Sequence, residues 1–245
     1  MMSLRRRIYG LPVMRLYREM RASQLSERRS KTDLGFSFAG NPTYLDPAWE
    51  PAEKRKLAAM LPNVAAFIDV GANHGFYSCM AASAGVPVVA IEPEVGNLRY
   101  LKSNVRHNDF PIEVLPVALS DKPGIAELFG DSDTASLVPG WHGVARHFRQ
   151  SVPVNTLDNL IASRWAGERL LIKIDVEGAE EQVLAGARQL IARQPRPLWL
   201  IESFSSALDV MRAAGYTVTE TSPGNYFCEH SEVQAAGLTP ARDVP

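Results

Sequence analysis

Cysteine is scarce in this sequence: Cys79 and Cys228 are the only two, far apart and without metal-ligand spacing. That excludes a disulfide framework and a thiolate metal site, and both are expected to be reduced, buried and apolar in character, as in a cytoplasmic protein. Net charge is also scarce, at −1, so no global field draws the chain to nucleic acid. Long apolar runs are missing. The best, Met80 to Ile91, is interrupted by Ser83, Gly85 and Pro87, too short and too broken to span a bilayer. The apolar stretch after Arg5, Arg6 and Arg7 meets Pro12 and Arg15 before the core of a signal peptide can develop.

A more local deficit carries more information. Residues 67–78 read FIDVGANHGFYS, an apolar run ending in an acid and then a glycine-bearing turn, and no Lys or Arg occurs between Ile68 and Leu98. A dinucleotide fingerprint starting at Gly71 requires glycine where Asn73 and Phe76 stand, and a P-loop requires Gly-Lys-Ser/Thr where Phe76, Tyr77 and Ser78 stand. Both phosphate readings fail. The turn is suited instead to a nucleoside without phosphates, or to a ligand with its own positive charge.

What is present fits one α/β domain: 245 residues, 46% apolar and 22% charged. Residues 1–31 form a basic arm, in which Tyr9, Val13, Leu16, Tyr17 and Met20 recur at helical spacing between arginines; such a helix lies on its own domain or makes peripheral contact with an anionic membrane. Residues 32–65 are a loop and helix lead-in, with a helix from Pro51 to Leu61. Residues 66–245 alternate: strand 67–70, helix 76–83, strand 87–92, helix 95–107, strand 112–117. After a less regular section with a strand at 125–129 come strand 170–174, one helix over 179–193, strand 198–201, helix 205–214, and strands 216–220 and 226–229 around Pro223-Gly224-Asn225. Apolar strands separated by helices imply a doubly wound, mostly parallel sheet with ligands at the strands' carboxyl ends.

Those ends carry the candidate chemistry. Glu92 follows the glycine turn by about 20 residues, the spacing at which an acid takes a ribose diol. Asp175, Glu177 and Glu180 crowd the junction after Ile174, and Glu202 ends the following strand. Capping of a helix dipole accounts for Glu177 and Glu180 better than for Asp175. His74 lies inside the glycine turn, facing either ligand or substrate, and His142 and His147 share an irregular loop with Trp141 and Arg146. Carboxylates gathered at such an edge can act as a base or share a hard divalent ion such as Mg²⁺, and Asp175 is expected at the reaction centre, supported by Glu177 and Glu202.

Assembled, these pieces resemble the FkbM family of S-adenosylmethionine-dependent methyltransferases: Trp49-Glu50-Pro51, FIDVGANHGFYS, AIEP at 90–93, PVALSD at 116–121, TASL at 134–137, VPVNTLDNL at 152–160 and IKIDVEGAE at 172–180. The resemblance implies a class I, Rossmann-like seven-stranded sheet whose last strand is antiparallel. It implies that Asp69, Gly71, Asn73 and Gly75 line the cofactor's methionine side, that Glu92 takes the ribose and that Pro93 flanks adenine, with Ala118 or Asp121 where relatives present an acid to adenine. It further implies O-methylation of a sugar, glycan or other small hydroxyl-bearing acceptor. A nucleic-acid N-methyltransferase would carry Asn/Asp-Pro-Pro-aromatic where Asp175-Val176-Glu177-Gly178 stands, so no nucleic-acid partner is expected. A non-catalytic cofactor-binding or scaffold protein is the remaining alternative.

Overall fold

A computed structural model of the chain describes residues 29–130, 134–143, 149–203 and 206–230; the helix expected around Tyr9 to Met20, together with Arg146, His147 and the side chain of His142, lies outside the described residues. The strands are β1 (Ala66–Val70), β2 (Val88–Ile91), β3 (Ile112–Leu115), β4 (Ala118–Leu119), β5 (Gly124–Phe129), β6 (Arg149–Asn155), β7 (Leu170–Ile174), β8 (Leu198–Glu202), β9 (Tyr216–Ser222) and β10 (Asn225–His230). The helices are α1 (Pro51–Met60), α2 (Phe76–Ser83), α3 (Val95–Asn108), α4 (Leu157–Ile161), α5 (Glu180–Ala185), α6 (Arg188–Ala192) and α7 (Ala207–Ala213). Among the described residues no helix is long and apolar enough to cross a membrane.

Seven strands form one sheet in the order β9-β10-β8-β7-β1-β2-β3. β1 pairs in parallel with β2 and β7, β2 with β3, and β7 with β8, while β10 enters antiparallel beside β8 and forms a hairpin with β9. This is the class I methyltransferase arrangement. β1, β2 and β7 are buried at every position, which requires cover on both faces. One face packs Ile68, Val70, Ile172, Ile174 and Trp199 against Leu157, Leu184, Leu190 and Met211 of α4 to α7. The other packs Phe67, Ala90 and Leu171 against Leu57, Phe76, Met80 and Leu101 of α1 to α3.

Three local departures from the sequence pattern have physical reasons. The helix expected over 179–193 is broken into α5 and α6 at Gly186, whose carbonyl accepts from the N–H of Asp158 at 2.9 Å and where a β-carbon would stand 2.2 Å from the carbonyl oxygen of Ser120. The second piece is capped in trans: Asp158 accepts from the backbone N–H groups of Gln189 (2.9 Å) and Leu190 (3.0 Å). The strand expected over 112–117 stops at Leu115, and the chain moves into a separate three-stranded sheet, β4-β6-β5. The lead-in, expected to be loop before α1, begins with a short hairpin of Ser30–Lys31 and Ser37–Phe38. Asn104 and Asn108, one turn apart on α3, grip that hairpin through the backbone of Ala39 and Ser37, so Phe36 and Phe38 join the same core as Phe76.

Candidate active site

Gly71 explains how β1 ends beside β7. Its φ is +79°, and a β-carbon would sit 1.7 Å from the carbonyl oxygen of Asp175, so only glycine lets the two strand ends stay in contact. The turn continues through Asn73 in the left-handed region at φ 51°. Its N–H donates to Glu92 Oε2 at 2.8 Å, and its Oδ1 accepts from the N–H of His74 at 2.7 Å. Gly75, at φ 83°, starts α2, where a β-carbon would strike Leu101 at 2.4 Å; it shapes the turn without lining the cavity described next.

The ends of β1, β2, β7 and β8 open on a cavity of about 450 Å³. Gly71, Asn73, Glu92, Pro93, Ala118, Asp175, Glu177 and Glu202 all line it. Asp69 and His74 lie off it, in a small adjoining recess that Asp175 and Lys173 share. Asp121 is not brought there: it is exposed on the loop after β4, accepting only from Ser120 Oγ at 3.1 Å. The wall near Ala118 is apolar, built with Val117, Leu119, Leu128 and Leu137. Among the described residues no lining residue is Lys or Arg, as suits a phosphate-free, positively charged ligand.

Glu92 is only 4% exposed, and burial pushes its carboxyl up to about 7. Besides Asn73 it accepts from the N–H of Glu94 at 2.8 Å and from Asn97 Nδ2 at 3.4 Å. A carboxylate has about four acceptor sites, so capacity remains for a diol. Glycine turn, buried acid and apolar wall therefore fit the three parts of S-adenosylmethionine.

Beside this half lies a carboxylate cluster. Lys173, buried in β7 and two residues before Asp175 on the same side of the strand, donates to Asp175 Oδ2 at 2.7 Å. Burial works against its charge, but Asp175, Asp69 and Glu50 outweigh burial and hold the ammonium above its ordinary value. Its Nζ also lies 5.0 Å from the centre of the Tyr77 ring. Tyr77 Oη donates to Glu50 Oε2, and burial raises the Glu50 carboxyl. Asp69 is raised by burial too, and accepts from Ser78 Oγ at 2.5 Å. Glu177, in the left-handed region at φ 55°, accepts from Trp141 Nε1 at 3.0 Å, and its carbonyl accepts from Ser136 Oγ at 2.6 Å. The Glu202 side chain has no hydrogen-bond partner among the described residues; burial first, then the charge of Asp175, pushes it up to about 8. His74 accepts at Nδ1 from the N–H of Asn41 at 3.1 Å and packs its ring against Tyr100.

Sequence reasoning passed over Lys173 and Tyr77, and noted Glu50 only within a matching tripeptide. A lysine inside an otherwise wholly apolar strand was a usable signal for the first; nothing in the spacing of Glu50 or Tyr77 marks them. The Mg²⁺ expectation finds no support in the donor set. Among the described residues no group of three or more His, Cys, Asp or Glu is arranged to hold a metal ion, and Asp175 is already committed to Lys173.

A family profile described as Methyltransferase FkbM domain matches residues 69–232. No curated protein matches the chain. Among solved structures, the precorrin-6y C5,15-methyltransferase of Geobacter metallireducens aligns with 81% of this chain and 96% of its own, at 13% identity and a TM-score of 0.46. The 16S rRNA N2 G1207 methyltransferase of T. thermophilus aligns with 83% of this chain and 50% of its own, at 14% identity and a TM-score of 0.47.

Proposed function

The chain belongs to the FkbM methyltransferase family and is an S-adenosylmethionine-dependent methyltransferase; we propose that it methylates a hydroxyl oxygen of a sugar, glycan or other small metabolite. The observation that supports this is the convergence of Asp175, Glu177 and Glu202 on the cavity that also holds Gly71 and Glu92. When bound, the cofactor supplies an electrophilic methyl group on a positively charged sulfur. Glu92 holds the ribose hydroxyls, Gly71 and Asn73 serve the methionine end, and Ala118 with its apolar neighbours receives adenine.

A neutral hydroxyl transfers its oxygen lone pair poorly while it keeps its proton. Glu202, raised to about 8 and with no side-chain hydrogen-bond partner among the described residues, takes that proton as the oxygen–carbon bond forms and the methyl's bond to sulfur breaks. Asp175, fixed through one oxygen by Lys173, presents the other to orient the hydroxyl. Glu177, held by Trp141 and Ser136, shapes the same wall.

The test is the linkage in the product. Protein incubated with methyl-labelled cofactor and an extract of its source cells is expected to give a product whose label sits on oxygen by tandem mass spectrometry, with equal yield in chelator. Label on nitrogen or carbon would replace this reading.

A further inference from the structure

The cavity adjoins a recess of about 40 Å³, and Tyr44, Trp49, Gly71, Asn73 and Asp175 line both. Gly71 and Asn73 are the turn residues that serve the cofactor's methionine end, so that end of the ligand leads into the recess. Space there is tight. A water-sized group needs about 10–15 Å³, so the recess takes about three such groups, the bulk of one carboxylate and too little for a sugar ring.

Lys173 lines this recess. It is 4% exposed, and an ammonium carries three N–H donors. One goes to Asp175 Oδ2 at 2.7 Å, and among the described residues no other protein group accepts from it. Asp69, its register partner on β1, accepts from Ser78 Oγ rather than from Lys173. Trp49, Phe76 and Tyr77 give the recess aromatic walls, with the Tyr77 ring centre 5.0 Å from Nζ. In such surroundings a buried donor left without an acceptor is costly.

The group that meets these donors must be small and must accept hydrogen bonds. Negative charge suits it best, because hydrogen bonds to an ionised partner are roughly twice as strong as those between neutral groups. The methionine end of the cofactor terminates in such a group. We infer that Lys173 binds the α-carboxylate of S-adenosylmethionine, in the recess beside Gly71 and Asn73. The tail carries its own ammonium and is neutral as a whole, so Lys173 keeps Asp175 while the cofactor is bound. One buried side chain then sets the cofactor's tail against the carboxylate that orients the acceptor. The inference rests on the cofactor assignment and is independent of which acceptor atom is methylated.

Calorimetry on the full chain tests it with two ligands: S-adenosylhomocysteine, and the decarboxylated analogue that keeps adenine, ribose, sulfur and amine but ends in a plain aminopropyl group. The parent is expected to bind the first more tightly by about tenfold or more, the scale of one hydrogen bond between ions. In Lys173→Met that preference is expected to fall to about twofold or less, because the variant loses affinity only for the ligand that bears the carboxylate. Equal affinity of the parent for both ligands overturns the inference. So does a variant that weakens both ligands to the same degree, since a purely structural lysine acts on both. Lys173→Met leaves the Asp175 carboxylate without its partner; if it does not fold, Lys173→Met combined with Asp175→Asn removes both charges and carries the same comparison. Failure of the parent to bind S-adenosylhomocysteine at all would overturn the cofactor assignment together with the inference, whereas label on nitrogen or carbon in the product assay would overturn the hydroxyl reading and leave Lys173 in place.

Discussion

At Gly71 the clash of any β-carbon with the carbonyl of Asp175 is with backbone, which cannot rotate away. Gly71→Ala is therefore expected to push β1 and β7 apart at their ends and to abolish cofactor binding by calorimetry. Glu92→Ala tests the ribose contact: affinity should fall by about 1.5–3 kcal/mol, the scale of a hydrogen bond to a charged group, and unchanged affinity in a folded variant would remove Glu92 from the site. Glu202 makes a pH prediction. A base must be ionised to act, so with its carboxyl near 8 the rate should rise with pH through about 8; a rate flat from pH 6 to 9 would move the proton elsewhere. Asp175, Glu92 and Glu202 were legible in the sequence because a parallel strand delivers its terminal residue to a known edge. Asp121 was offered by the family resemblance instead, and it lies on the surface because β4 leaves the main sheet. Glu50 was illegible as a site residue for another reason: it reaches the cavity from the turn before α1, through contacts between segments far apart in sequence.

Helix α1 is fixed to the far edge of the sheet by one side chain. Glu53 is fully buried and accepts at Oε1 from Thr221 Oγ1 (2.9 Å) and Ser222 Oγ (2.6 Å) of β9. Because Glu50 immediately precedes this helix, the contact also sets where Glu50 meets Tyr77. Glu53→Ala leaves the Ser222 hydroxyl without its acceptor and Thr221 with only the carbonyl of Asn225, and should cost about 1–3 kcal/mol, read as a lower urea midpoint. No loss would mean that α1 is held by Leu57 and its apolar neighbours alone. Strands and long helices of the main sheet were readable from periodicity, because full burial leaves an unmistakable apolar run. The break at Gly186 was not, since the groups that meet it, the N–H of Asp158 and the carbonyl of Ser120, arrive from other elements. The hairpin at Ser30–Phe38 was equally hidden: two-residue strands are too short to show a period, and what holds them is Asn104 and Asn108 on α3.

Over the whole molecule, the site's charge opposes the fold that contains it. Asp69, Glu50, Glu92, Glu180 and Glu202 are all raised by burial, so each binds its proton more tightly in the native state than in the unfolded one. Between the ordinary value of 4.5 and the raised values of about 7 for Glu92 and about 8 for Glu202, the native state therefore holds more protons. Stability then falls as pH rises through that window and levels off above it. Lys173 does not reverse the trend there, because its raised value favours folding throughout and is lost only at higher pH. For Glu92 alone the part of that shift lost between pH 5 and pH 8 is about 2–3 kcal/mol, so the cofactor-free protein should have a lower urea midpoint at pH 8 than at pH 5. Glu202→Gln, which cannot ionise, should flatten the upper part of that slope without changing stability at pH 5. A midpoint that instead rises from pH 5 to pH 8 would mean that carboxylates paired elsewhere dominate the balance, and that the cavity's acids are solvated and ionised before any ligand arrives.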